Sequence, residues 1–415
     1  MPNNWKTYKL KEVCEKIFSG GTPSTSNPEF WNGEIPWLSS GETGNRYISG
    51  TEKFITEIGL QKSSAKMALK DDIVIASAGQ GKTRGQTSFL KIDTSINQSV
   101  LCFRVDKEII DSKFLFFNLS NRYDEFRNIS DSFSTRGSLT KDLIENQIKL
   151  ELPLIQEQKS IASILSAIDD KIENNLAINK TLEEMAMALY KNWFVDFGPF
   201  KDGEFVESEL GSIPMGWEVK RLNEIAFKRA ETYKFKGKEK VVFVNTGDVL
   251  EGSFMHKNYM DIEDLPGQAK KAIYPEDILY SEIRPGNKRY AYVDFDSQDY
   301  VVSTKFMVIR NNELINNKLL YRILTRDETI TEFQNIAESR SGTFPQITFD
   351  AIGHIQFALP NIDKQNEFQS IVGNWEEQQA NNLKENQALT QLRNTLLPKL
   401  ISGEVRLNEY VSSDK

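Results

Sequence analysis

Two segments of the chain carry apolar residues at alternating spacings of four and three, the pattern of a helix that buries one narrow stripe. The first stripe runs from Ile161 to Trp193, and the second runs from Phe368 to Leu400. Helices of this length would extend about 50 Å. Asparagines occupy the middle of each stripe, where a buried polar side chain lowers stability but fixes register and orientation.

We therefore predict that the two helices pair with each other as an antiparallel coiled coil, because that arrangement brings the two asparagine-bearing middles together. The alternative is that each helix packs separately against its own domain. The residues expected at the helix–helix contact are Ile168, Ile172, Asn175, Asn179, Leu182, Trp375, Asn382, Asn386 and Leu389.

The region before each long helix has a different pattern. Short β-prone runs such as DDIVIAS (71–77) and DILYSEI (277–283) alternate with clusters of Gly, Pro, Asn and Ser, and a short helical stretch follows them. Runs of this kind predict strands joined by turns. Each long helix is therefore expected to follow an α+β domain of about 150 residues.

The chain also repeats itself. The segment that begins at Trp5 reappears at Trp217, and LPLIQEQKSIASIL (152–165) aligns with LPNIDKQNEFQSIV (359–372). Such matches recur in the same order along the chain at a nearly constant spacing, which indicates a tandem duplication with small changes of loop length. The predicted fold class is α+β: two equivalent α/β domains, related by a pseudo-two-fold axis and separated by the two paired helices.

Composition narrows the function only a little. The 415 residues are 39% apolar and 27% charged, as in an ordinary soluble protein of several domains. Without a long apolar run or an apolar leader, we expect a cytoplasmic protein. Two histidines and two cysteines argue against a His-rich metal site and a disulfide framework. A net charge of −8 excludes a uniformly basic coat but permits local basic loops.

The stretch IASAGQGKTRGQ (75–86) differs by one residue from the glycine-rich loop that binds nucleotide phosphates. A phosphate-binding loop follows a strand and starts a helix, whereas the residues after Thr83 favour a second strand. In the second repeat the equivalent loop, IRPGNKRYAYV (283–293), keeps a glycine and several cations but has no GK[ST] pattern. We therefore interpret both loops as basic hairpin loops without carboxylates.

Two similar domains at a fixed separation suit duplex DNA, in which equivalent faces repeat every 34–36 Å or so. Arg and Lys contact guanine edges and phosphates, and Gln, Asn and Thr contact other base edges. Further candidates lie in SFSTRGSLTKD (132–142), SRSGTFPQITFD (339–350), INQS (96–99) and VSTK (302–305), where ordinary turn chemistry is the alternative. The predicted DNA-binding residues are Gln80, Lys82, Thr83, Arg84, Gln98, Arg136, Arg284, Asn287, Lys288, Arg289, Lys305 and Arg340.

Four stretches resemble the specificity (S) subunit of Type I restriction-modification systems: residues 20–42 (GGTPSTSNPEFWNGEIPWLSSGE), 152–172, 191–200 (KNWFVDFGPF) and 392–407. The resemblance covers nearly the whole chain and agrees with the duplication. It implies two target-recognition domains, two conserved helical regions and a linker. The expected bounds are 1–153 and 217–359 for the recognition domains, 154–200 and 360–415 for the central and distal helical regions, and 201–216 for the linker.

The resemblance also implies a non-catalytic subunit without a cofactor of its own. Such a subunit recognises a bipartite, asymmetric target in double-stranded DNA and scaffolds two modification subunits, adenine methyltransferases that use S-adenosylmethionine. Restriction subunits, which use ATP and Mg, would add translocation and cleavage. The sequence agrees with this division, since it has no [DN]PP[YF] methylation motif. The alternatives are a coiled-coil adaptor with two protein-binding domains and a phosphate-loop NTPase.

Overall fold

The computed structural model describes residues 4–79, 81–132 and 137–407. The chain divides into two compact units. Unit 1 comprises Met1–Leu176 and Asn382–Lys415, and unit 2 comprises Ala177–Asn381. Each unit therefore contains the β-rich region of one repeat together with part of each long helix.

Unit 1 contains two main sheets flanked by short helices. Its strands are β1 (Lys6–Lys9), β2 (Cys14–Ser19), β3 (Trp31–Leu38), β4 (Tyr47–Ile48), β5 (Lys53–Ile55), β6 (Lys66–Ala68), β7 (Ile73–Ala76), β8 (Thr87–Leu90), β9 (Thr94–Ile96), β10 (Val100–Val105) and β11 (Lys149–Leu152). Its short helices are α1 (Glu57–Gln61), α2 (Ser112–Ser120), α3 (Tyr123–Ser132) and α4 (Lys141–Gln147). The first long helix, α5, spans Ile155–Phe194 and contributes to both units.

Unit 2 follows the same plan. Its strands are β12 (Phe205–Ser208), β13 (Gly211–Pro214), β14 (Glu218–Arg221), β15 (Ala226–Arg229), β16 (Lys240–Val244), β17 (Val249–Leu250), β18 (Ser253–Phe254), β19 (Tyr259–Asp261), β20 (Ala269–Ala272), β21 (Ile278–Ser281), β22 (Tyr290–Tyr292), β23 (Tyr300–Ser303), β24 (Phe306–Asn311) and β25 (Gln356–Leu359). Its short helices are α6 (Leu222–Ile225), α7 (Asn317–Thr325), α8 (Asp327–Arg340) and α9 (Phe349–Ile352). The second long helix, α10, spans Ile362–Ile401.

The sheet topology confirms the duplication. The order β2-β10-β7-β8-β4 in unit 1 corresponds to β15-β24-β21-β22 in unit 2, and β5-β3-β9-β6 corresponds to β19-β16-β23-β20. The pairs β1-β11 and β14-β25 also correspond. Each repeat contains an ion pair at the same position. The buried Asp72 accepts from Arg104, and the buried Asp277 accepts from Arg310. The predicted α+β fold class is therefore confirmed.

The long helices are 40 residues each, longer than the spans from Ile161 to Trp193 and from Phe368 to Leu400. Each begins just after a proline, and one glutamine side chain bonds the first turn of the helix to that proline and to a loop about 50 residues earlier in the chain. Gln158 donates to the carbonyls of Pro153 and Ile109 at 3.0 and 3.1 Å. Gln365, at the equivalent position of the second repeat, donates to the carbonyls of Pro360 and Leu314 at 2.9 and 3.0 Å.

The two long helices pack against each other in antiparallel fashion within each unit. In unit 1, Asn175 Nδ2 donates to Asn386 Oδ1 at 2.9 Å. In unit 2, Asn179 Nδ2 donates to the Gln379 carbonyl at 3.2 Å, and Gln379 Nε2 donates to the Asn179 carbonyl at 2.9 Å. The predicted pairing is therefore confirmed, with reciprocal side-chain-to-backbone bonds as well as the asparagine contact. Of the other predicted contact residues, Ile168 and Leu182 are buried, and Ile172, Trp375, Asn382 and Leu389 are half-buried.

One carboxylate on each long helix, buried at Asp169 and half-buried at Glu376, bonds the adjoining domain to the helix. Asp169 of α5 accepts from Arg46 Nε at 2.7 Å, from the Tyr47 hydroxyl at 2.6 Å, and from Arg393 Nη1 of α10 at 2.7 Å. Glu376 lies at the equivalent position on α10. It accepts from Lys318 Nζ at 2.6 Å and from Arg322 Nη2 at 2.8 Å, both in unit 2. We call these two sites the carboxylate clamps.

We predict that cysteines introduced at Asn175 and Asn386 form an intramolecular disulfide under mild oxidation, because the two native side chains are in contact. The native thiols should not compete, since burial raises the pKa of Cys14 to about 12 and places the pKa of Cys102 well above its usual value. Non-reducing electrophoresis measures the cross-link. Glu173→Cys with Asn386→Cys is the control, because Glu173 is exposed on α5. Equal cross-linking of both pairs would contradict the helix register.

We also predict that Asp169→Asn lowers the free energy of unfolding by about 1–3 kcal/mol at neutral pH. Burial raises the pKa of Asp169, but Arg46 and the hydrogen bonds from Arg393 and Tyr47 together lower it below its usual range. The carboxylate therefore stabilises the fold above its unfolded pKa of about 4, and this contribution is lost as the pH falls through the lower folded value.

Urea unfolding of the Asp169→Asn chain at about pH 7 and about pH 2.5 tests this prediction. The difference from the unsubstituted chain should shrink at the lower pH. Asp170→Asn, at an exposed neighbouring position, should change little at either pH. A difference that is the same at both pH values would show that the charge of Asp169 does not stabilise unit 1.

Candidate nucleic-acid interface

Three loops that are separate in the sequence meet in unit 1. Strands β7 and β8 form an antiparallel hairpin, whose connecting loop begins at Ser77. The Ser77 amide donates to the Ser99 carbonyl at 2.8 Å, and the Ser77 carbonyl accepts from the Leu139 amide at 2.8 Å. One residue therefore joins the hairpin loop to the loop around Gln98 and to the segment before α4. We call residues 77–79, 81–86, 96–99 and 137–140 the unit 1 loop surface.

Unit 2 joins the equivalent loops by equivalent bonds. Strands β21 and β22 form an antiparallel hairpin. The Glu282 amide donates to the Lys305 carbonyl at 2.9 Å, and the Glu282 carbonyl accepts from the Ile347 amide at 2.8 Å. We call residues 282–289, 302–305 and 341–348 the unit 2 loop surface. Because the connecting atoms belong to the backbone, the arrangement does not depend on the side chains that the loops carry.

A helix in each unit also fixes the tip of the hairpin loop. Arg127 of α3 donates from Nη1 to the Gly81 carbonyl at 2.8 Å. Gln334 of α8, its counterpart in the second repeat, accepts from the Gly286 amide at 2.9 Å. The Tyr123 hydroxyl of α3 adds a bond to the Lys82 carbonyl at 2.9 Å. The loops are thus held at their tips as well as at their strand ends.

The hairpin contradicts the phosphate-loop alternative for residues 75–86. A phosphate-binding loop places its amides at the N-terminus of the helix that follows it. Here the loop continues from β7 into β8, and the carbonyls of Gly81 and Lys82 accept bonds from α3. The GKT tripeptide therefore lies in a strand–strand connection that lacks the geometry needed for a nucleotide.

The position of Arg84 corrects the sequence prediction. Its side chain is buried, with only 5% of the residue exposed, because the guanidinium folds back into unit 1. Nη1 donates to the Gly137 carbonyl at 3.0 Å, and Nη2 forms an ion pair with Asp131 of α3. Gly137 has φ +49°, and a Cβ there would lie 2.0 Å from Arg84 Nη1. Arg84 therefore connects two loops instead of facing a ligand.

Two cations of the unit 2 hairpin loop also have internal partners. Lys288 Nζ lies 2.9 Å from Asp327 Oδ1, and the hydrogen bond to Asp327 raises the lysine pKa. Arg289 Nη1 donates to the carbonyls of Val249 and Gly247 at 3.0 and 3.3 Å. Residues 283–289 of this loop contain no carboxylate, as the sequence predicts. Asp327 belongs to α8, and the sequence around Lys288 does not show that this helix packs beside the loop. Lys288 and Arg289 therefore help to hold the loop in place, and their contact with DNA stays a prediction.

The remaining predicted residues fall into three groups. Lys82, Gln98, Arg284, Asn287 and Arg340 are exposed. Thr83 and Lys305 are half-buried. Gln80 and Arg136 lie outside the residues that the structure describes. The exposed group places one lysine and one glutamine on the unit 1 loop surface, and one arginine and one asparagine on the unit 2 loop surface, with Arg340 at its border.

The unit 2 loop has an unusual backbone around its exposed arginine. Arg284 and Lys288 have φ values of +44° and +53°, in the left-handed region that residues other than glycine seldom adopt. They flank a single 3-10 turn, Pro285–Asn287. The Arg284 amide donates to the Pro345 carbonyl at 3.1 Å, which supports this conformation. Strained backbone held by its surroundings is common at binding sites.

Sequence reasoning missed several residues that build these surfaces. Thr22 donates from its hydroxyl to Gln98 Oε1 at 2.6 Å, so the segment after β2 borders the unit 1 loop surface. Phe344 on the unit 2 loop surface is half exposed. Arg127 and Gln334 were detectable in principle, because they align between the two repeats. Thr22 had no comparable signal, since only the folded chain brings it to Gln98.

Within residues 4–79, 81–132 and 137–407, no cluster of three His, Cys, Asp or Glu side chains could hold a metal ion. Across the same described residues, no helix has the length and apolarity needed to cross a membrane.

We predict that Arg84→Ala lowers the free energy of unfolding by about 1–3 kcal/mol, because it removes an ion pair and a bond to a backbone carbonyl. Lys82→Ala should change stability by less than about 0.5 kcal/mol, since its side chain is exposed. Urea unfolding of both variants measures the contrast. Equal stability of the two variants would argue that Arg84 has no structural role.

The chain is similar to known proteins along nearly its whole length. The family model of the Type I restriction modification DNA specificity domain matches residues 2–184 and 214–391, one match in each repeat. The specificity subunit of Type I restriction enzyme HindI of Haemophilus influenzae is 45% identical over 181 residues. That match covers 43% of this chain and 39% of that protein. The MjaIX specificity subunit of Methanocaldococcus jannaschii is 29% identical over 99% of this chain and 95% of that protein.

A solved structure shares the fold. The crystal structure of the Type I restriction-modification S subunit from M. genitalium has a TM-score of 0.58 at 17% identity, covering 96% of this chain and 96% of that chain. The two family matches together cover well over half of the sequence. The chain therefore belongs to the Type I restriction-modification DNA specificity family and is a non-catalytic DNA-recognition subunit of that family.

Proposed function

We propose that the unit 1 and unit 2 loop surfaces each bind one half of a bipartite target in double-stranded DNA. The observation that carries this proposal is the repeated convergence of three loops on one residue, Ser77 in unit 1 and Glu282 in unit 2. A surface of several loops held by a common backbone contact can present side chains to base edges with little loss of conformational freedom on binding.

The exposed side chains support an asymmetric target. Unit 1 presents Lys82 and Gln98, and unit 2 presents Arg284 and Asn287. Arg pairs with the O6 and N7 atoms of guanine, Gln and Asn pair with adenine, and Lys contacts guanine or phosphate. Because the two sets differ at equivalent positions, the two half-sites should differ in sequence. A net charge of −8 is compatible with this, since only the local charge of the loops approaches the DNA.

The helical regions are the proposed contacts for partner subunits. In unit 1 the paired helices carry an apolar groove of about 600 Å³, whose lining includes Ile172, Leu176 and Leu383. Leu176 and Leu383 are each about half exposed, which is unfavourable unless a partner covers them. We assign residues 154–200 and 360–415 as docking regions for two modification subunits, one per region. The recognition domains then span 1–153 and 217–359, with 201–216 as linker.

The chemistry belongs to the partners in this proposal. The modification subunits would bind S-adenosylmethionine and methylate adenine, restriction subunits would use ATP and Mg, and this chain would carry no cofactor. The coiled-coil adaptor is less favoured, since it gives no reason for the same three loops to converge in both units. It predicts no sequence-specific DNA binding even when methyltransferase partners are present.

We predict that DNA exposed to the chain reconstituted with modification subunits becomes methylated at one bipartite motif, with two different half-sites separated by a constant gap. Sequencing of methylated adenines over a random DNA library measures the motif. Methylation at a symmetric or continuous motif would contradict the assignment of one distinct half-site to each unit.

We further predict that Arg284→Ala weakens binding to that target by about 1–3 kcal/mol, a factor of about 5–150, and relaxes one position of one half-site. Lys201→Ala is the control, because it removes an exposed positive charge outside both loop surfaces. Titration of labelled target and non-target duplexes at fixed salt measures both effects. If the two variants bind alike, Arg284 does not contact a base.

A further inference from the structure

The unit 2 loop surface carries one exposed aromatic side chain, Phe344. Phe344 is 50% exposed, and within the described residues it belongs to none of the apolar clusters of unit 2. Its neighbours from 339 to 343 are Ser, Arg, Ser, Gly and Thr, and the segment 339–347 has no acidic residue. The ring thus stands out as a large apolar group among small polar and cationic ones.

The position of Phe344 is fixed from both sides of the loop. Its amide donates to Ser341 Oγ at 3.1 Å. The next residue, Pro345, is buried, and its carbonyl accepts from the Arg284 amide at 3.1 Å. Further along the same segment, the Ile347 amide donates to the Glu282 carbonyl at 2.8 Å. Phe344 is therefore adjacent in sequence to the point where its loop contacts the exposed arginine of the hairpin.

The exposed ring of Phe344 beside the exposed Arg284 suits the edge of a DNA base better than it suits a protein partner. The Arg284 guanidinium is exposed, and the neighbouring loop 339–347 has no acidic residue. This charge favours a polyanion such as DNA over a protein partner. In the major groove, the C5-methyl group of thymine is the apolar group that the base edges expose. A phenylalanine near a guanine-binding arginine can therefore contact it. Removing that methyl group from water stabilises the complex modestly, by the transfer of about one methylene-sized group.

We propose that Phe344 is a specificity-determining residue that contacts the C5-methyl group of a thymine, beside the base pair contacted by Arg284. The inference rests on the proposed function of the unit 2 loop surface. It is specific to one half-site, because the residue that aligns with Phe344 in the first repeat is Arg136. The two repeats would then recognise different chemistry through residues at aligned sequence positions.

The test uses the full chain reconstituted with modification subunits and a duplex carrying the mapped target. Each thymine of the target is replaced in turn by uracil, which lacks only the methyl group. We expect one uracil substitution, in one half-site, to lower the affinity of the unsubstituted complex about fourfold. In the Phe344→Ala complex, the thymine duplex should bind about as weakly as the uracil duplex, so that the difference disappears.

Phe227→Ala is the matched control, since Phe227 is 48% exposed on β15 but lies outside the loop surface. It should keep the full thymine-to-uracil difference. Phe344→Leu keeps an apolar side chain and should keep part of that difference, so it replaces the alanine variant if that chain does not fold. A folding check by thermal unfolding accompanies each variant.

Three outcomes overturn the inference. One is a complex in which no uracil substitution lowers affinity, and another is a Phe344→Ala complex that keeps the difference. The third is a rise in the fluorescence of 2-aminopurine, placed in the target, that depends on Phe344, since this would show the ring inserted between bases. The proposed function fails in a different way: the unsubstituted complex would then bind target and scrambled duplexes equally.

Discussion

The antiparallel packing of α5 against α10 is the contact on which the rest of the molecule depends, because each unit requires residues from distant parts of the chain. The apolar core of unit 1 combines Phe114 and Leu165 with Leu397 and Leu400. A buried ion pair between Glu157 and Arg406, with atoms 2.8 Å apart, reinforces the same closure. Unit 1 is therefore complete only when the second long helix is present. Contacts across such a sequence separation carry a large entropic cost of loop closure, and burial of a shared core has to offset it.

The repeats keep the contacts that join strands, helices and loops, and they vary the chemistry around them. Gln158 and Gln365 make the same set of backbone bonds at the start of each long helix. The carboxylate clamps use Asp169 in one unit and Glu376 in the other, and their cationic partners come from different elements. What is repeated is thus the position at which a carboxylate of the long helix bonds the adjoining domain, while its cationic partners differ between the units. Such a site is costly to leave half-satisfied, since an unpaired buried charge is strongly unfavourable.

Much of this architecture could be predicted from the sequence, because helix periodicity and the internal repeat are both properties of local spacing. The duplication predicted equivalent domains, and the asparagines at the middle of each stripe predicted antiparallel pairing. Local spacing does not predict a side-chain contact whose two residues are far apart in the sequence. Arg84 is buried against Gly137 and Asp131, and nothing near position 84 shows this. The early start of each long helix was missed for the same reason, since Gln158 bonds to Ile109, which lies far back in the chain.

The distinction between backbone and side-chain contacts explains how one fold can accommodate different targets. The loops of each surface are joined through the amide and carbonyl of Ser77 in one unit and of Glu282 in the other. Any residue supplies the same backbone atoms, except that proline lacks the amide, so a side chain such as Gln98 or Asn287 can change without separating the loops. Residues such as Arg84, Lys288 and Arg289 are different, because their side chains hold the loops themselves. Recognition should therefore vary through the exposed residues, and these three cations should mark positions where substitution alters the fold before it alters the choice of bases.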